Sequence, residues 1–218
     1  MNWEERPAKA YARHWLLNQI KINRGISYLG LPAANAIFEK MLCKAQPVSS
    51  MVLVEQDPDI FSELKRTITR DFDMNCSITM INGSIDDVSF SNKDFVWLDY
   101  CGPVTPQRVE SLQRGIKDMK DDGVLAVTFM AGREKGAGTA LLDHFDGEGG
   151  IEISGEEASR VPSYFLRRVR AISRIALNVD PRLRIKVQPY SDRVPMALFV
   201  FQKTVQRPTI EVEPYYKE

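Results

Sequence analysis

Histidine and cysteine are scarce in this sequence, which has two histidines and three cysteines among 218 residues. Cys43, Cys76 and Cys101 lie far apart and form no CxxC pair, and two histidines cannot complete a zinc site of ordinary spacing. We therefore expect neither a metal site nor a disulfide framework. Cys43 and Cys76 are at positions that we expect to face the core and to be chemically inert.

The sequence also lacks an excess of charge of either sign and any long apolar run. Basic and acidic residues number 29 each, so attraction to nucleic acid or to a membrane would need a local patch. No segment approaches the roughly 18 apolar residues of a membrane span. The N-terminus carries acids where a signal peptide carries basic residues. We expect a soluble, cytoplasmic protein with no membrane partner.

Short apolar strands alternate with amphipathic helices over most of the chain. The alternation predicts an α/β fold, with a doubly wound, mostly parallel sheet and right-handed crossovers. The final two strands have a connection too short for a crossover helix, so we expect a C-terminal antiparallel hairpin and seven strands in all. The predicted strands are 26–31, 48–55, 76–81, 95–98, 124–130, 183–187 and 196–201.

No linker rich in proline, glycine or serine divides the chain, so a single core is expected. Residues 1–25 form a helical segment that we expect to cap a pocket. Residues 26–205 form the α/β domain, and residues 206–218 form a short acidic tail that we expect to be exposed.

Turn and acidic residues follow three of the predicted strands. Gly30 and Pro32 lie in the turn after the first strand, Glu55 ends the second, and Asp99 follows the fourth. In open α/β sheets, ligands bind at the carboxyl ends of the strands. A glycine turn followed by two acids predicts a nucleotide-like pocket at this edge.

This layout resembles the class I S-adenosylmethionine-dependent methyltransferases over about 26–203. The resemblance implies a Rossmann-like fold and S-adenosylmethionine as cofactor. In that family the first strand leads into the turn acid-x-Gly-x-Gly-x-Gly, which packs against the methionine part of the cofactor. Here Gly30 is kept, Tyr28 replaces the acid, and Pro32 and Ala34 replace the later glycines.

The resemblance also implies roles for the later strand ends. Glu55 would accept hydrogen bonds from both ribose hydroxyls, because a carboxylate offers two acceptor oxygens. Asp99 and Tyr100 would face the methyl acceptor and orient or deprotonate it. The implied cofactor-binding residues are Tyr28, Gly30, Pro32, Glu55, Gln56, Ser84, Ile85, Asp86 and Asp99.

Simpler explanations and other functions stay open. Gly30 could only permit a tight turn, and Glu55 or Asp99 could only cap a helix. The altered turn suits a non-catalytic binding or assembly module of the same fold. An NAD-type oxidoreductase is disfavoured, because the sequence lacks the second and third glycines of the dinucleotide fingerprint.

The acceptor is the least defined part of this hypothesis. Arg160, Arg167, Arg170 and Arg174 share one face of a helix predicted at about 156–178, and such a stripe could contact phosphates of RNA or DNA. A solvated face with ion pairs is the commoner explanation. His14 could serve as a general base, although an exposed helix histidine is the commoner case. A small-molecule or protein acceptor also stays open.

Two further patterns have ordinary explanations. Cys101 follows Tyr100, whereas the nucleophilic cysteine of cytosine-C5 methyltransferases follows a proline, so we expect a small buried thiol there. The glycine-rich stretch 132–138 lacks the Gly-Lys-Ser/Thr ending of a P-loop. We expect it to be a mobile loop near the acceptor entrance.

Overall fold

A computed structural model describes residues 6–72, 76–100, 102–131, 136–147, 153, 161–192 and 194–217. The helices are α1 (Pro7–Gln19), α2 (Ile37–Ala45), α3 (Pro58–Asp71), α4 (Pro106–Asp118), α5 (Ala137–Gly147) and α6 (Ser163–Val179). The strands are β1 (Ile26–Gly30), β2 (Val48–Glu55), β3 (Ser77–Asn82), β4 (Phe95–Asp99), β5 (Val124–Met130), β6 (Leu183–Asp192), β7 (Val194–Lys203), β8 (Thr209–Val212) and β9 (Tyr216–Lys217).

The strands form one sheet in the order β3-β2-β1-β4-β5-β7-β6-β8, with β9 also paired to β6. Strands β1 to β5 are parallel, and β7 is antiparallel to both β5 and β6. The predicted α/β fold with a C-terminal antiparallel hairpin is confirmed. The strand order reverses between β1 and β4, and a crevice opens at such a switch point. The antiparallel β7 departs from the order 3-2-1-4-5-6 of dinucleotide-binding sheets.

The sheet has nine strands instead of the seven predicted, because the expected C-terminal tail contributes two. Strand β8 pairs in parallel with β6, and β9 pairs with β6 beyond it. Ile210 and Val212 are buried, and Glu211 between them forms an ion pair with Arg184. An alternation of apolar and polar residues over only four positions does not stand out among the acidic residues of this segment, which therefore resembles an exposed tail.

Local capping explains where the helices begin. The Asp57 side chain accepts hydrogen bonds from two backbone amides of α3, and Thr105 does the same for one amide of α4. A proline follows each cap, where its missing N–H is of no consequence. Helix α2 has no side-chain cap and follows Ala36 in the left-handed conformation. It therefore begins at Ile37, directly after this residue.

Helices cover both faces of the sheet. Neighbouring residues on β1 point to opposite faces, so Leu29 joins the core beneath α4, α5 and α6, whereas Tyr28 joins the core beneath α1, α2 and α3. Residues 132–138 were expected to form a mobile loop, and no helix was predicted after them, but Ala137 begins α5. Residues 132–135 of that loop lie outside the described part, and the helix begins directly after Gly136. No helix in the described ranges is long and apolar enough to cross a membrane.

Candidate functional site

A cavity of about 950 Å³ lies at the carboxyl ends of the parallel strands. Its size is at the upper end of the range of about 300–1,000 Å³ that is usual for small-molecule sites. The turn after β1, the ends of β2 and β4, the segment after β3 and the first turns of α4 form its walls. The predicted site residues that line it are Pro32, Glu55, Gln56, Ser84, Ile85, Asp86, Asp99 and Tyr100.

Glu55 lines the cavity with a carboxylate whose direction is fixed. Its Oε1 accepts a hydrogen bond of 2.8 Å from the backbone amide of Asp57, and its backbone oxygen accepts one from the side chain of Asn82. Asp57, and not Glu55, caps α3. The second carboxylate oxygen of Glu55, Oε2, makes no hydrogen bond to any other described residue. Glu55 is therefore held by its neighbours and still able to accept hydrogen bonds from a ligand.

The segment after β3 is attached to α4. The Ser84 hydroxyl accepts a hydrogen bond from the backbone amide of Asp86, which starts a short 3-10 turn. The Ser111 hydroxyl donates to Asp86 Oδ1 at 2.6 Å, and Arg114 donates to the backbone oxygens of Ile85 and Asp86. Ser111 and Arg114 were not predicted, because nothing in the sequence links α4 to this turn. They fix the backbone beside the cavity.

Asp99 faces a cation from the N-terminal helix. Lys9 Nζ lies 3.3 Å from Asp99 Oδ2, and the two side chains are only 5% and 9% exposed. Thr105 caps α4, so Asp99 is not needed for that purpose. Both residues line the cavity. Lys9 was not predicted as a site residue, although its position on the same helix face as the buried Ala12 and Leu16 was a usable signal.

Tyr28 does not line the cavity, so its predicted contact with the cofactor stays a prediction. Its hydroxyl donates a hydrogen bond of 2.8 Å to Glu39 Oε1, and both residues are buried beneath α1 and α2. Burial raises the pKa of Tyr28, and the neighbouring Glu39 raises it further. Burial also raises the pKa of Glu39, while Tyr28 and Arg13 act in the opposite direction.

Gly30 is likewise absent from the cavity wall. The packing of Tyr28 explains why this position is a glycine. A Cβ at position 30 would overlap the Tyr28 hydroxyl and lie against its ring. The chain thus needs a glycine here for packing between neighbours on one strand. The predicted contact of Gly30 with a cofactor stays a prediction.

Tyr100 lies between the end of β4 and the start of α4, and other side chains pack against its ring. The ring stacks on Phe129 at 5.9 Å, and the Arg108 guanidinium lies 5.0 Å from its centroid. The hydroxyl oxygen is buried and has no hydrogen-bond partner among the described residues. Burial raises the pKa of Tyr100. The phenol therefore stays protonated near neutral pH and is suited to donating a hydrogen bond, not to removing a proton.

The arginine stripe lies away from the cavity, and two of its members are neutralised by α5. Arg167 forms an ion pair with Asp143, and Arg170 Nε lies 2.6 Å from Asp146 Oδ1. Arg174 lies further along α6, and Arg160 is outside the described residues. Ion pairs were the commoner explanation for this face, and α5, which was not predicted, supplies the counter-charges. Contact of the stripe with RNA or DNA stays a prediction.

His14 and the cysteines have no place in this site. His14 is exposed on α1 and does not line the cavity. Cys43 is exposed, so the expectation that it faces the core is wrong, whereas the partly exposed Cys76 packs against the core beneath α1, α2 and α3 as expected. Cys43 belongs to the last turn of the short helix α2, where few residues cover it. Cys101 lies outside the described residues.

Comparison by sequence finds nothing similar: no family model matches the chain, and no curated protein matches it. Solved structures do match by fold. Trm5b from Pyrococcus abyssi superimposes with a TM-score of 0.57 at 14% identity. The match covers 90% of this chain and 49% of that protein, so this chain spans about half of its length.

Two smaller proteins match over most of both chains. An O-methyltransferase from Bacillus cereus, solved in complex with S-adenosylhomocysteine, has a TM-score of 0.56 at 12% identity and covers 93% of this chain and 84% of that one. A candidate rRNA-methylase from Clostridium thermocellum has a TM-score of 0.54 at 12% identity and covers 92% and 98%. Together with the strand order, these matches show that the chain has the fold of the class I S-adenosylmethionine-dependent methyltransferases.

Proposed function

We propose that this protein is an S-adenosylmethionine-dependent methyltransferase. The observation that carries the proposal is a cavity at the β1/β4 switch point with an oriented carboxylate, an anchored backbone turn and an ion pair on three separate strand ends. A ribose, an adenine and an amino-acid end require these three kinds of partner. The donor set of the cavity therefore fits the cofactor.

Each group of the cofactor has a suitable residue. Glu55 would accept hydrogen bonds from the ribose hydroxyls, since its Oε2 is not used elsewhere in the described residues. Asp86 and the backbone of Ile85 would bind the adenine edge, because Ser111 and Arg114 hold them in place. Gln56 and Pro32 would contribute to the cavity walls. Asp99 would face the methionine end.

The cofactor supplies a methyl group on a positively charged sulfonium, and the residues of this chain mainly position the acceptor. Positioning two reactants can contribute several kcal/mol to a rate, about 7–11 in favourable model reactions. Tyr100 would donate a hydrogen bond from its protonated hydroxyl and so orient an acceptor atom. Asp99 is assigned to the cofactor and not to proton removal, because Lys9 already occupies one side of its carboxylate.

We infer that RNA is the acceptor class to test first. Arg108 lines the cavity beside Tyr100 and could contact a phosphate there. One of the similar structures is a candidate rRNA-methylase. The arginine stripe of α6 no longer supports this choice, since Arg167 and Arg170 are paired with α5.

Calorimetric titration with S-adenosylhomocysteine tests the cofactor site. We expect saturable binding that is at least about 10-fold weaker in Glu55→Ala, since hydrogen bonds to a charged group contribute about 1.5–3 kcal/mol. Glu110→Ala, an exposed change on α4, is the matched control and should bind as the wild type does. If the wild type shows no binding at millimolar ligand, the proposal is wrong and a non-catalytic module is favoured.

A tritiated-methyl assay with RNA, DNA, protein and small-molecule pools tests the acceptor. We expect label in RNA, with less label for Tyr100→Phe. Label in another pool would leave the methyltransferase proposal intact and contradict the choice of RNA.

A further inference from the structure

A buried ion pair borders the cavity at the end nearest β1 and β4. Lys9 and Asp99 come from elements that lie 90 positions apart in the sequence, and both side chains are at least nine-tenths buried. Burying two opposite charges costs much of the energy that their attraction supplies, so such a pair is poor support for stability alone. Its position on a cavity wall indicates a role in binding.

A second layer of charge lies behind this pair. Arg13, one turn after Lys9 on α1, and Glu39 of α2 are both buried and interact with each other. The Glu39 carboxylate also senses the charge of Asp99. Two basic and two acidic side chains therefore share a poorly hydrated region. A ligand end with a single charge would give a counter-charge to only one member of the Lys9–Asp99 pair, whereas an end with one ammonium and one carboxylate would give one to each.

The first strand supplies no carboxylate at this end of the cavity. Tyr28 takes the position of the acid in the resembling family, and its hydroxyl donates to Glu39 in the core beneath α1 and α2 instead of lining the cavity. Asp99 is consequently the acid left to accept hydrogen bonds from a ligand ammonium here. Lys9, beside it, offers donors to a ligand carboxylate.

We propose that Lys9 and Asp99 together bind the free α-amino-acid end of the cofactor. Lys9 would donate hydrogen bonds to the carboxylate of the cofactor, and Asp99 would accept them from its ammonium. The proposal rests on the proposed cofactor site and goes further, since it makes α1 a part of that site and makes the zwitterion a condition of tight binding. Arg13, Glu39 and Tyr28 act as positioning residues behind the pair.

Three ligands test this on the unmodified protein. S-adenosylhomocysteine carries both charged groups, its decarboxylated analogue carries only the ammonium, and 5′-methylthioadenosine carries neither. We expect binding in the order S-adenosylhomocysteine, 5′-methylthioadenosine, decarboxylated analogue. The analogue should be weakest although it is larger than 5′-methylthioadenosine, because its unbalanced ammonium lies beside Lys9. The affinity for S-adenosylhomocysteine should exceed that for 5′-methylthioadenosine by about 10- to 100-fold, as expected for charge-assisted hydrogen bonds.

Lys9→Met should lower the affinity for S-adenosylhomocysteine about 10- to 100-fold. It should leave the affinity for 5′-methylthioadenosine within about threefold of the wild-type value. It should also reverse the order of the two weaker ligands, because the repelling cation is gone. Lys117→Met, an exposed change on α4, is the matched control and should alter none of the three. If Lys9→Met does not fold, the double variant Lys9→Met/Asp99→Asn replaces it, because it leaves no unpaired buried carboxylate. The double variant should bind S-adenosylhomocysteine and 5′-methylthioadenosine with equal affinity.

The outcomes separate this inference from the proposed function. If the wild type binds none of the three ligands, the cofactor site itself is wrong. If it binds S-adenosylhomocysteine and 5′-methylthioadenosine equally well, the cofactor site stands and the role of Lys9 and Asp99 is wrong. Equal weakening of both ligands by Lys9→Met would show that Lys9 only maintains the fold.

Discussion

Gly30→Ala should destabilise the protein through a contact within its own strand. The added Cβ would overlap the Tyr28 hydroxyl and press on its ring, so the ring must move. Tyr28 is fully buried and donates a hydrogen bond to Glu39, which is also buried. A movement large enough to relieve the overlap would break that hydrogen bond.

Two terms add to the expected loss. Overpacking a well-filled core costs about 1–3 kcal/mol. A buried acceptor left without its donor costs about 1–3 kcal/mol as well. We therefore expect Gly30→Ala to lower the free energy of unfolding by about 2–6 kcal/mol, a large share of the total of about 5–15 kcal/mol that is typical of natural proteins.

Urea unfolding followed by tryptophan fluorescence measures this loss. Trp97 is a suitable reporter, because its ring contacts Phe38 in the same core. Gly83→Ala is the matched control, since a Cβ there meets only Ile81 at an ordinary 3.8 Å. It should change the free energy of unfolding by less than about 1 kcal/mol.

Removal of the Tyr28 ring should rescue the Gly30→Ala variant. In the Tyr28→Leu background, the hydroxyl and ring atoms that the Cβ would meet are gone, so adding Gly30→Ala should change stability little. A coupling of about 2 kcal/mol or more is expected between the two positions, within the range found for residues in contact. A loss below about 1 kcal/mol for Gly30→Ala alone, or fully additive effects, would refute the steric explanation.

Two further predictions concern charges outside the cavity. Burial alone would raise the pKa of Asp94, but hydrogen bonds led by those from Lys120 and the Ser27 amide hold it below its usual range. The resulting stability is present above the unfolded-state pKa and is lost as the pH falls through the lower folded value, so Asp94→Asn should lose about 1–3 kcal/mol at pH 7 and flatten the acid side of a stability profile measured in urea. Arg170→Ala should cost less than about 1 kcal/mol, because its pair with Asp146 is partly exposed, and should leave RNA binding in a filter assay unchanged; a large drop in RNA affinity would restore the stripe as a nucleic-acid site.

The parallel part of the sheet was predictable because each strand is a short apolar run that ends in a turn or an acid. Strands β2 and β5 have the predicted bounds. Glu55 and Asp99 could be predicted to lie at the cavity because the carboxyl ends of parallel strands share one edge. Their simpler explanation as caps was removed only by the structure, which shows Asp57 and Thr105 in that role.

The rest depended on contacts between segments that the sequence does not link. A strand buried on both faces shows no alternation, so nothing indicated that Tyr28 points away from the cavity. The pairing of Lys9 with Asp99 joins α1 to β4 and has no local signal. The partners of the α6 arginines could not be named from the sequence, because the glycine-rich segment gave no signal for α5, which carries Asp143 and Asp146.

The pairing of β8 with β6 has a practical consequence for work with this protein. β6 is ten residues long, and β8 covers one side of it along Arg184–Val187. A fragment cut at residue 205, where the sequence suggests that the domain ends, would leave the backbone amides and carbonyls of that side of β6 open to another chain. Long uncovered strands of this kind promote self-association. Strand β8 thus prevents β6 from pairing with another copy of the chain. A fragment that lacks β8 is expected to aggregate.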